Sequence, residues 1–227
     1  MDVAPQGGPT GKEWLRFHNR KAEVHRLYPT VWSIPLRRKR ASLLQGLIGP
    51  RARVLDFGAG GRSWEPRVLQ AAPDVEYRSL DRDRDNPHDY YSLEEVEGTF
   101  DLILLIEVLE HLTFEEAVPL LARLHGLLKP GGVLLLTTPN AAHPTQYWKD
   151  PTHRTAWAHE FLGAVLLDVG FAGIRCFRVH HAKIPRFLAA RAMGWILLKW
   201  MGVDFAGTIA VAATRGPADS RVPKNPG

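Results

Sequence analysis

The stretch VLDFGAGGRSW, Val54–Trp64, places three glycines and a carboxylate directly after a short apolar run. Because glycine lacks a side chain, the backbone of such a turn can adopt positive φ angles and approach a ligand closely. The dinucleotide fingerprint G-x-G-x-x-G is incomplete, since Ser63 stands at its third glycine, and the P-loop pattern is absent. The loop by itself is compatible with a ligand site or with a simple tight turn between a strand and a helix.

Two carboxylates narrow the choice of ligand. Asp56 lies two residues before Gly58, and Asp81 follows the next apolar run. A carboxylate at Asp56 disfavours a phosphate, because like charges repel at short range in a partly dry site. A carboxylate at the end of a second strand can accept hydrogen bonds from both hydroxyls of a ribose. The pair favours a nucleoside that carries a positive centre and no phosphate.

Strand-like and helix-like segments alternate along the rest of the chain. The pattern predicts strands at 53–56, 75–80, 88–93, 100–106, 133–138, 174–180 and 208–214, and helices at 62–72, 113–128 and 160–169. The run at 100–106 lacks polar alternation, as is typical of a strand covered on both faces. Such alternation predicts an α/β fold with a mostly parallel sheet, whose ligands bind beyond the carboxyl ends of the strands.

Composition agrees with a soluble globular chain. The 227 residues are 45% hydrophobic and 23% charged, and a single cysteine, Cys176, excludes an internal disulfide. With no apolar leader and no run that could span a bilayer, we expect a cytoplasmic protein. The net charge of +5 includes a basic block at 37–40. That block is compatible with nucleic acid or anionic lipid, although a solvated face is the simpler interpretation.

Taken in order, the motifs resemble those of the class I S-adenosylmethionine-dependent methyltransferases, of the small-molecule type known as methyltransferase type 11/12. VLDFGAGGRSW is similar to the first motif of that family, and SLDRD to the acidic end of its second strand. FDLILLIEVLEHL and LLKPGGVLLLTTPN are similar to its fourth-strand and fifth-strand motifs. The resemblance covers about residues 50–182 and the final strand. It implies a Rossmann-like, seven-stranded, mostly parallel sheet with helices on both faces and an antiparallel last strand.

The expected domain layout combines the extent of this resemblance with the composition and helical pattern of the flanking residues. Residues 1–48 are expected to form an N-terminal helical cap, 49–215 the methyltransferase domain, and 216–227 a flexible tail. The domain contains an apolar and basic insertion at 184–205. It could be a lid, the interface of a homodimer, or a helix that lies against the membrane at the inner face.

The resemblance also implies which residues bind the cofactor, S-adenosylmethionine. They are Asp56, Gly58, Ala59, Gly60, Asp81, Arg82 and Glu107. The first four would hold the methionine part. Asp81 would bind the ribose, Arg82 would lie along the adenine, and Glu107 would line the pocket.

Two histidines are candidates for the base of a methyl transfer to oxygen. His111 follows the strand predicted at 100–106, and His153 lies in QYWKDPTHRTAW, which resembles the DPTH segment of some methyltransferases of this class. Histidine suits proton removal near neutral pH. We expect Tyr147 and Trp148 to shape the substrate pocket. Each histidine could instead have only a structural role, His111 as a helix cap and His153 within its own loop.

We predict no metal site from the sequence. His143 and Asp150 together with His153 could bind an ion, but their spacing is no recognised ligand signature.

The predicted function is therefore methyl transfer from S-adenosylmethionine to a small or lipid-linked acceptor, at oxygen, in a glycan or cell-envelope metabolite. Alternatives are an RNA methyltransferase, a non-catalytic protein that binds a nucleotide cofactor, and a nicotinamide-dependent oxidoreductase. Asp56 and Ser63 count against the last of these.

Overall fold

The structure, a computed structural model, describes residues 11–180 and 200–216. Its helices are α1 (Gly11–Leu27), α2 (Glu65–Ala71), α3 (Phe114–Leu127) and α4 (His159–Val169). Its strands are β1 (Leu36–Arg37), β2 (Arg53–Phe57), β3 (Glu76–Leu80), β4 (Phe100–Ile106), β5 (Leu128–Pro139), β6 (Phe171–Val179) and β7 (Thr208–Arg215).

The strands form one seven-stranded sheet in the order β1-β6-β7-β5-β4-β2-β3. Among these described strands, only β7 runs antiparallel to its neighbours, β5 and β6. The predicted α/β fold, with its mostly parallel sheet and antiparallel last strand, is confirmed. After β2 the chain passes to β3 on one side and then crosses to β4 on the other. The carboxyl ends of β2 and β4 therefore lie side by side at a point where ligands bind in such sheets.

Both faces of the sheet are covered, so the central strands are apolar on both sides. Leu55 of β2 and Ile103 of β4 belong to a cluster that also contains residues of α1, α3 and α4. Val54 and Leu102 belong to a second cluster, with residues of α2 and of the 3-10 helix Arg40–Leu44. This arrangement explains why the run at 100–106 shows no polar alternation.

The third strand predicted at 88–93 is reduced to an isolated bridge between Leu80 and Tyr90. The Asp89 carboxylate accepts hydrogen bonds from the Ser79 amide (2.8 Å) and the Ser79 hydroxyl (3.0 Å). A side chain thus takes the place of further main-chain pairing at this edge of the sheet. That part of the prediction was wrong.

The sheet reaches seven strands because it includes β1. This strand lies within residues 1–48, the segment expected to form the N-terminal cap. It pairs in parallel with β6, at the opposite edge of the sheet. The helix of that segment, α1, packs closely on α4, since a Cβ added to Gly163 would lie 2.8 Å from Cγ2 of Val24. The segment is therefore built into the sheet and the core, and the boundary placed at residue 48 stays a prediction.

The N-terminal ends of α2 and α3 are set by local backbone geometry and side-chain hydrogen bonds. The helix predicted from Arg62 begins at Glu65, because Arg62 has a φ of 54° and belongs to the turn. Thr113 caps α3 as the sequence indicates. Its hydroxyl accepts from the Glu116 amide (3.3 Å), and the Glu116 carboxylate accepts from the Thr113 amide (2.8 Å).

Most of the predicted insertion at 184–205 lies outside the described residues, as does the tail at 217–227. The end of the insertion that is described is anchored by Asp204, which is buried. Its carboxylate accepts from Arg178 (3.0 Å) and from the Asn140 side chain (2.8 Å), which ties it to β6 and to the end of β5. Among the described residues, no helix has the length and apolar character needed to cross a membrane.

We expect Gly58→Ala to destabilise the protein strongly. Gly58 has a φ of 72°, and a Cβ there would lie 2.5 Å from Cγ2 of Val108. Backbone strain and overpacking together should lower the free energy of unfolding by about 2–4 kcal/mol. Gly61→Ala is the matched control, since a Cβ at Gly61 would have no atom of the described residues within 4 Å. Urea unfolding of both variants tests the expectation, and equal stabilities would contradict it.

Candidate active site

The turn after β2 is held against the end of β3 by main-chain hydrogen bonds. The amides of Gly58 and Ala59 donate to the carbonyl of Leu80, at 2.8 and 3.1 Å. The Gly60 amide donates to Oδ2 of Asp81 (2.7 Å), while the Asp83 amide donates to Oδ1 (3.0 Å). Each carboxylate oxygen of Asp81 keeps a second lone pair, so it can still accept a ribose hydroxyl.

Asp56 is buried below this turn, with 1% of its surface exposed. Its carboxylate accepts a hydrogen bond of 2.6 Å from the hydroxyl of Tyr77. Burial raises the pKa of Asp56 to about 6, and the charge of Asp81 adds to the rise, while the Tyr77 hydrogen bond lowers it. A buried carboxylate with one neutral hydrogen-bond donor fits a cationic ligand group such as an ammonium. Arg82, by contrast, is exposed.

Glu107 follows β4 in a strained conformation, with a φ of 53°. Its amide donates to the carbonyl of Thr137 (3.0 Å), and its carboxylate accepts from the Thr137 hydroxyl (2.8 Å). Such strain in a residue with a side chain is maintained only where the surroundings fix the backbone, and it is common at functional sites. The neighbouring strand β5 fixes Glu107 at the end of β4.

Glu110 is a further candidate site residue, which the sequence analysis did not single out. It lies in the 3-10 helix Leu109–His111 and is 1% exposed, and neither of its carboxylate oxygens has a hydrogen-bond partner within the described chain. Burial and the negative charge of Glu107 raise the pKa of Glu110 to about 8, although Thr138 lies near enough to lower it. The sequence feature that could have indicated Glu110 is its position directly before His111, just after an apolar strand.

The loop that contains His153 is joined to the segment that follows β4 by hydrogen bonds to backbone carbonyls. The amides of Arg154 and Thr155 donate to the carbonyl of Glu110, at 2.6 and 3.1 Å. The Thr155 hydroxyl donates to the carbonyl of Leu112 (2.6 Å), and the indole of Trp157 to that of Leu109 (3.0 Å). These bonds bring together two segments about forty residues apart, with the rings of His111 and His153 at 4.9 Å between centroids.

Hydrogen bonds determine which nitrogen of each histidine is available. Nδ1 of His153 donates to the carbonyl of Tyr147 (2.6 Å), because a carbonyl can only accept. The Thr152 hydroxyl donates to the Asp150 carboxylate (2.6 Å), so its oxygen accepts from Nδ1 of His111 (2.9 Å). In the neutral form of each ring, Nε2 then carries the free lone pair.

The two aromatic residues expected at the substrate pocket lie in different environments. The ring of Tyr147 lies 5.2 Å from that of His153, at 37° between their planes. Trp148 packs edge-on against Tyr147, yet 79% of its surface is exposed. Tyr147 therefore forms part of the histidine environment, and Trp148 lies at its outer rim.

Comparison with known proteins agrees with this geometry. The sequence model of a family described as a methyltransferase domain matches residues 22–199. A comparison with curated proteins gives no match. A SAM-dependent methyltransferase from Archaeoglobus fulgidus has a similar fold, with 18% identity, a TM-score of 0.60, and coverage of 87% of this chain and 94% of that one.

Two further structures share the fold. One is the N-methyltransferase NodS from Bradyrhizobium japonicum WM9 in complex with S-adenosyl-L-homocysteine. Its identity is 15% and its TM-score 0.53, over 88% of this chain and 97% of that one. The other is a putative methyltransferase in complex with the Haloferax volcanii Trm112 activator, with 15% identity, a TM-score of 0.55, and coverage of 88% and 96%.

The fold and the carboxylate-bearing glycine turn define the class I S-adenosylmethionine-dependent methyltransferases, and the resemblance seen in the sequence is confirmed. The chain belongs to the methyltransferase-domain family, as an enzyme whose cofactor is S-adenosylmethionine. The alternative of a nicotinamide-dependent oxidoreductase was wrong.

We expect Asp56→Asn to change the dependence of stability on pH. The pKa of Asp56 is about 6 in the folded chain, above the ordinary value of 3.8. The folded state therefore binds the proton more tightly, and ionisation between about pH 4 and pH 6 destabilises it. The variant should gain about 2–3 kcal/mol relative to the wild type between pH 4 and pH 7.

Urea unfolding at several pH values between 4 and 7 measures this difference. Asp85→Asn, at an exposed position, is the matched control. A stability difference between Asp56→Asn and the wild type that stays constant over this range would show that Asp56 has no raised pKa. Calorimetry at pH 7 should also show that Asp56→Asn, although more stable, binds S-adenosylhomocysteine more weakly than the wild type does.

Proposed function

We propose that the chain transfers a methyl group from S-adenosylmethionine to a hydroxyl oxygen of a small or lipid-linked acceptor, in a glycan or cell-envelope metabolite. The observation that carries the proposal is the pair of histidines beyond the end of β4, His111 and His153, each with Nδ1 engaged and Nε2 available. Two such nitrogens suit the removal of a proton from a hydroxyl. A carboxylate acceptor would need no base.

The cofactor supplies an activated methyl group on its sulfonium sulfur. Asp56, with Gly58, Ala59 and Gly60, is proposed to hold the methionine part. Asp81 is proposed to bind the ribose, while Glu107 lines the pocket. Support comes from the buried charge of Asp56 and from the free lone pairs of Asp81. The proposed place of Arg82 along the adenine has weaker support, because the side chain is exposed.

The residues of the chain then have two tasks, alignment and proton removal. Nε2 of His111 or His153 takes the proton of the acceptor hydroxyl. Bound S-adenosylmethionine would supply the methyl group to this oxygen, with its carbon–sulfur bond broken and a neutral thioether as the leaving group. Holding the reacting atoms in line contributes most of the acceleration, because the methyl group is already activated. Tyr147 is placed to contact the acceptor beside His153.

A lipid-linked acceptor is supported by large apolar side chains at the surface. Trp200 and Met201, at the described end of the predicted insertion, are 94% and 70% exposed. Exposed tryptophans near basic residues favour contact with a membrane interface. We therefore propose contact of the segment 184–205 with the inner face of the membrane. A homodimer formed by the same segment stays a prediction.

RNA methylation has less support. Arg37 of the basic block lies over the ring of Phe177, 5.1 Å from its centroid, and Arg38 and Arg40 also make interactions within the protein. A row of arginines engaged in this way is poorly suited to follow a phosphate backbone.

We expect His153→Gln and His111→Gln each to lower kcat for methyl transfer by about 10²–10⁴-fold, because a general base contributes that much. Affinity for S-adenosylhomocysteine should stay within about twofold, since neither ring is proposed to touch the cofactor. His18→Gln, at an exposed position of α1, is the matched control. Full activity in both single variants and in the double variant would contradict the base role.

A screen with radiolabelled S-adenosylmethionine identifies the acceptor class. The purified full chain is incubated separately with sugars and glycolipids, with quinols, and with RNA. We expect label in an extractable glycan or lipid, as an ether stable to mild alkali. Label in RNA alone would overturn the proposed acceptor. Tight binding of S-adenosylhomocysteine with no transfer to any of these acceptors would also overturn the proposed acceptor class.

A further inference from the structure

Glu110, His111 and His153, hereafter the Glu–His–His cluster, meet at one point beyond the end of β4. A carboxylate oxygen and one ring nitrogen from each histidine all lie within 4.8 Å of one another. We propose that the Glu–His–His cluster binds one divalent transition-metal cation, of the zinc or manganese kind. Imidazole and carboxylate ligands together suit these ions.

The carboxylate of Glu110 is the first observation that points to a cation. It is 1% exposed, and neither oxygen has a hydrogen-bond partner within the described chain. Buried polar groups nearly always have such partners, because an unpaired one is destabilising. A cation bound to Glu110 would supply what the protein does not. The carboxylate of Glu107, close by, adds negative charge that also favours a cation.

The orientation of the histidines is a second and independent observation. Metal-binding histidines usually donate their other ring nitrogen to a carbonyl, a carboxylate or a hydroxyl, which fixes the ring and its tautomer. His153 donates Nδ1 to the carbonyl of Tyr147, and His111 donates Nδ1 to Thr152, whose hydroxyl is bonded in turn to Asp150. Both rings therefore have Nε2 available as the ligand atom.

The required adjustment is small. In a tetrahedral site, ligand atoms about 2.1 Å from a common ion lie about 3.4 Å apart. Atoms within 4.8 Å of one another must therefore draw together by at most about 1.4 Å. Rotation of side chains can provide this movement, because the backbones of the two segments are already joined through the carbonyl of Glu110.

The role of the cation in methyl transfer rests on the proposed function, whereas its binding does not. Three protein ligands leave a coordination position open for an acceptor hydroxyl. A divalent cation lowers the pKa of a bound hydroxyl strongly. With the cation present, the histidines act as ligands, and the hydroxyl proton passes to solvent water. Without it, the same nitrogens accept that proton directly.

The sequence prediction of no metal site considered His143, Asp150 and His153 by their spacing. Of these, only His153 belongs to the Glu–His–His cluster, and its partners come from a segment about forty residues earlier. Asp150 instead accepts the Thr152 hydroxyl that orients His111.

Calorimetry of the purified full chain, stripped with a chelator and titrated with zinc or manganese chloride, tests the proposal. The titration contains neither S-adenosylmethionine nor an acceptor. We expect one site per chain. Glu110→Gln, His111→Gln and His153→Gln should each weaken binding by at least about tenfold, as should Thr152→Val, which removes only the group that orients His111. His18→Gln is the matched control and should bind as the wild type does.

Melting temperatures of the metal-free variants show whether each one folds, and Thr152→Val keeps the test valid if a ligand variant does not. Absence of binding by the wild type, or equal binding by all folded variants, overturns the metal site. Binding that depends on the Glu–His–His cluster supports it, even if no acceptor is methylated. Methyl transfer that survives chelation would show that the proposed function holds without the cation and would overturn the cation's role in the reaction.

Discussion

The carbonyl oxygen of Glu110 accepts two backbone amides, from Arg154 and Thr155, and the site depends on this junction. It joins the segment after β4 to the loop after β5, so that His111 and His153 face each other. Because the bonds are made by the backbone, side-chain substitutions at Glu110 or either histidine leave the junction in place. Changes in binding or rate in those variants can then be assigned to the side chains themselves.

The end of β4 concentrates features that would be unfavourable elsewhere. Glu107 has a positive φ, and Gly58 leaves no space for a side chain beside Val108. The buried carboxylate of Glu110 has no hydrogen-bond partner of ordinary geometry among the described residues. Each is maintained because β4 lies in the middle of a sheet that is covered on both faces, where the backbone cannot relax. The stability of the apolar core thus supports local strain at the edge where chemistry is proposed.

The sequence predicts the central sheet well, because β2 and β4 carry apolar runs bounded by turn residues. It predicts the edges poorly, for a physical reason. At one edge, Asp89 replaces ladder bonds with side-chain bonds, and at the other, two residues of β1 suffice to pair with β6. The candidate site likewise combines features that the sequence predicts with features that it does not. His111 and His153 are recognisable by residue type and motif, but the burial of Glu110 and the hydrogen bonds of each Nδ1 follow from tertiary contacts that no local pattern encodes.

Two buried carboxylates with raised pKa values lie at neighbouring strand ends, and their different partners suggest different tasks. Asp56 accepts a hydrogen bond from a neutral donor, Tyr77, and the charge of Arg62, which is paired with Glu65, only partly offsets the effect of burial on its pKa. This suits an organic cation that arrives with the cofactor and leaves with the product. No hydrogen bond of ordinary geometry reaches the Glu110 carboxylate within the described chain, although the Thr138 hydroxyl lies near it. Two histidines lie beside this carboxylate, which suits an ion that stays bound. Since both carboxylates are destabilising when ionised and alone, positive charge at either position should stabilise the fold, and the arrangement couples folding to the occupancy of both sites.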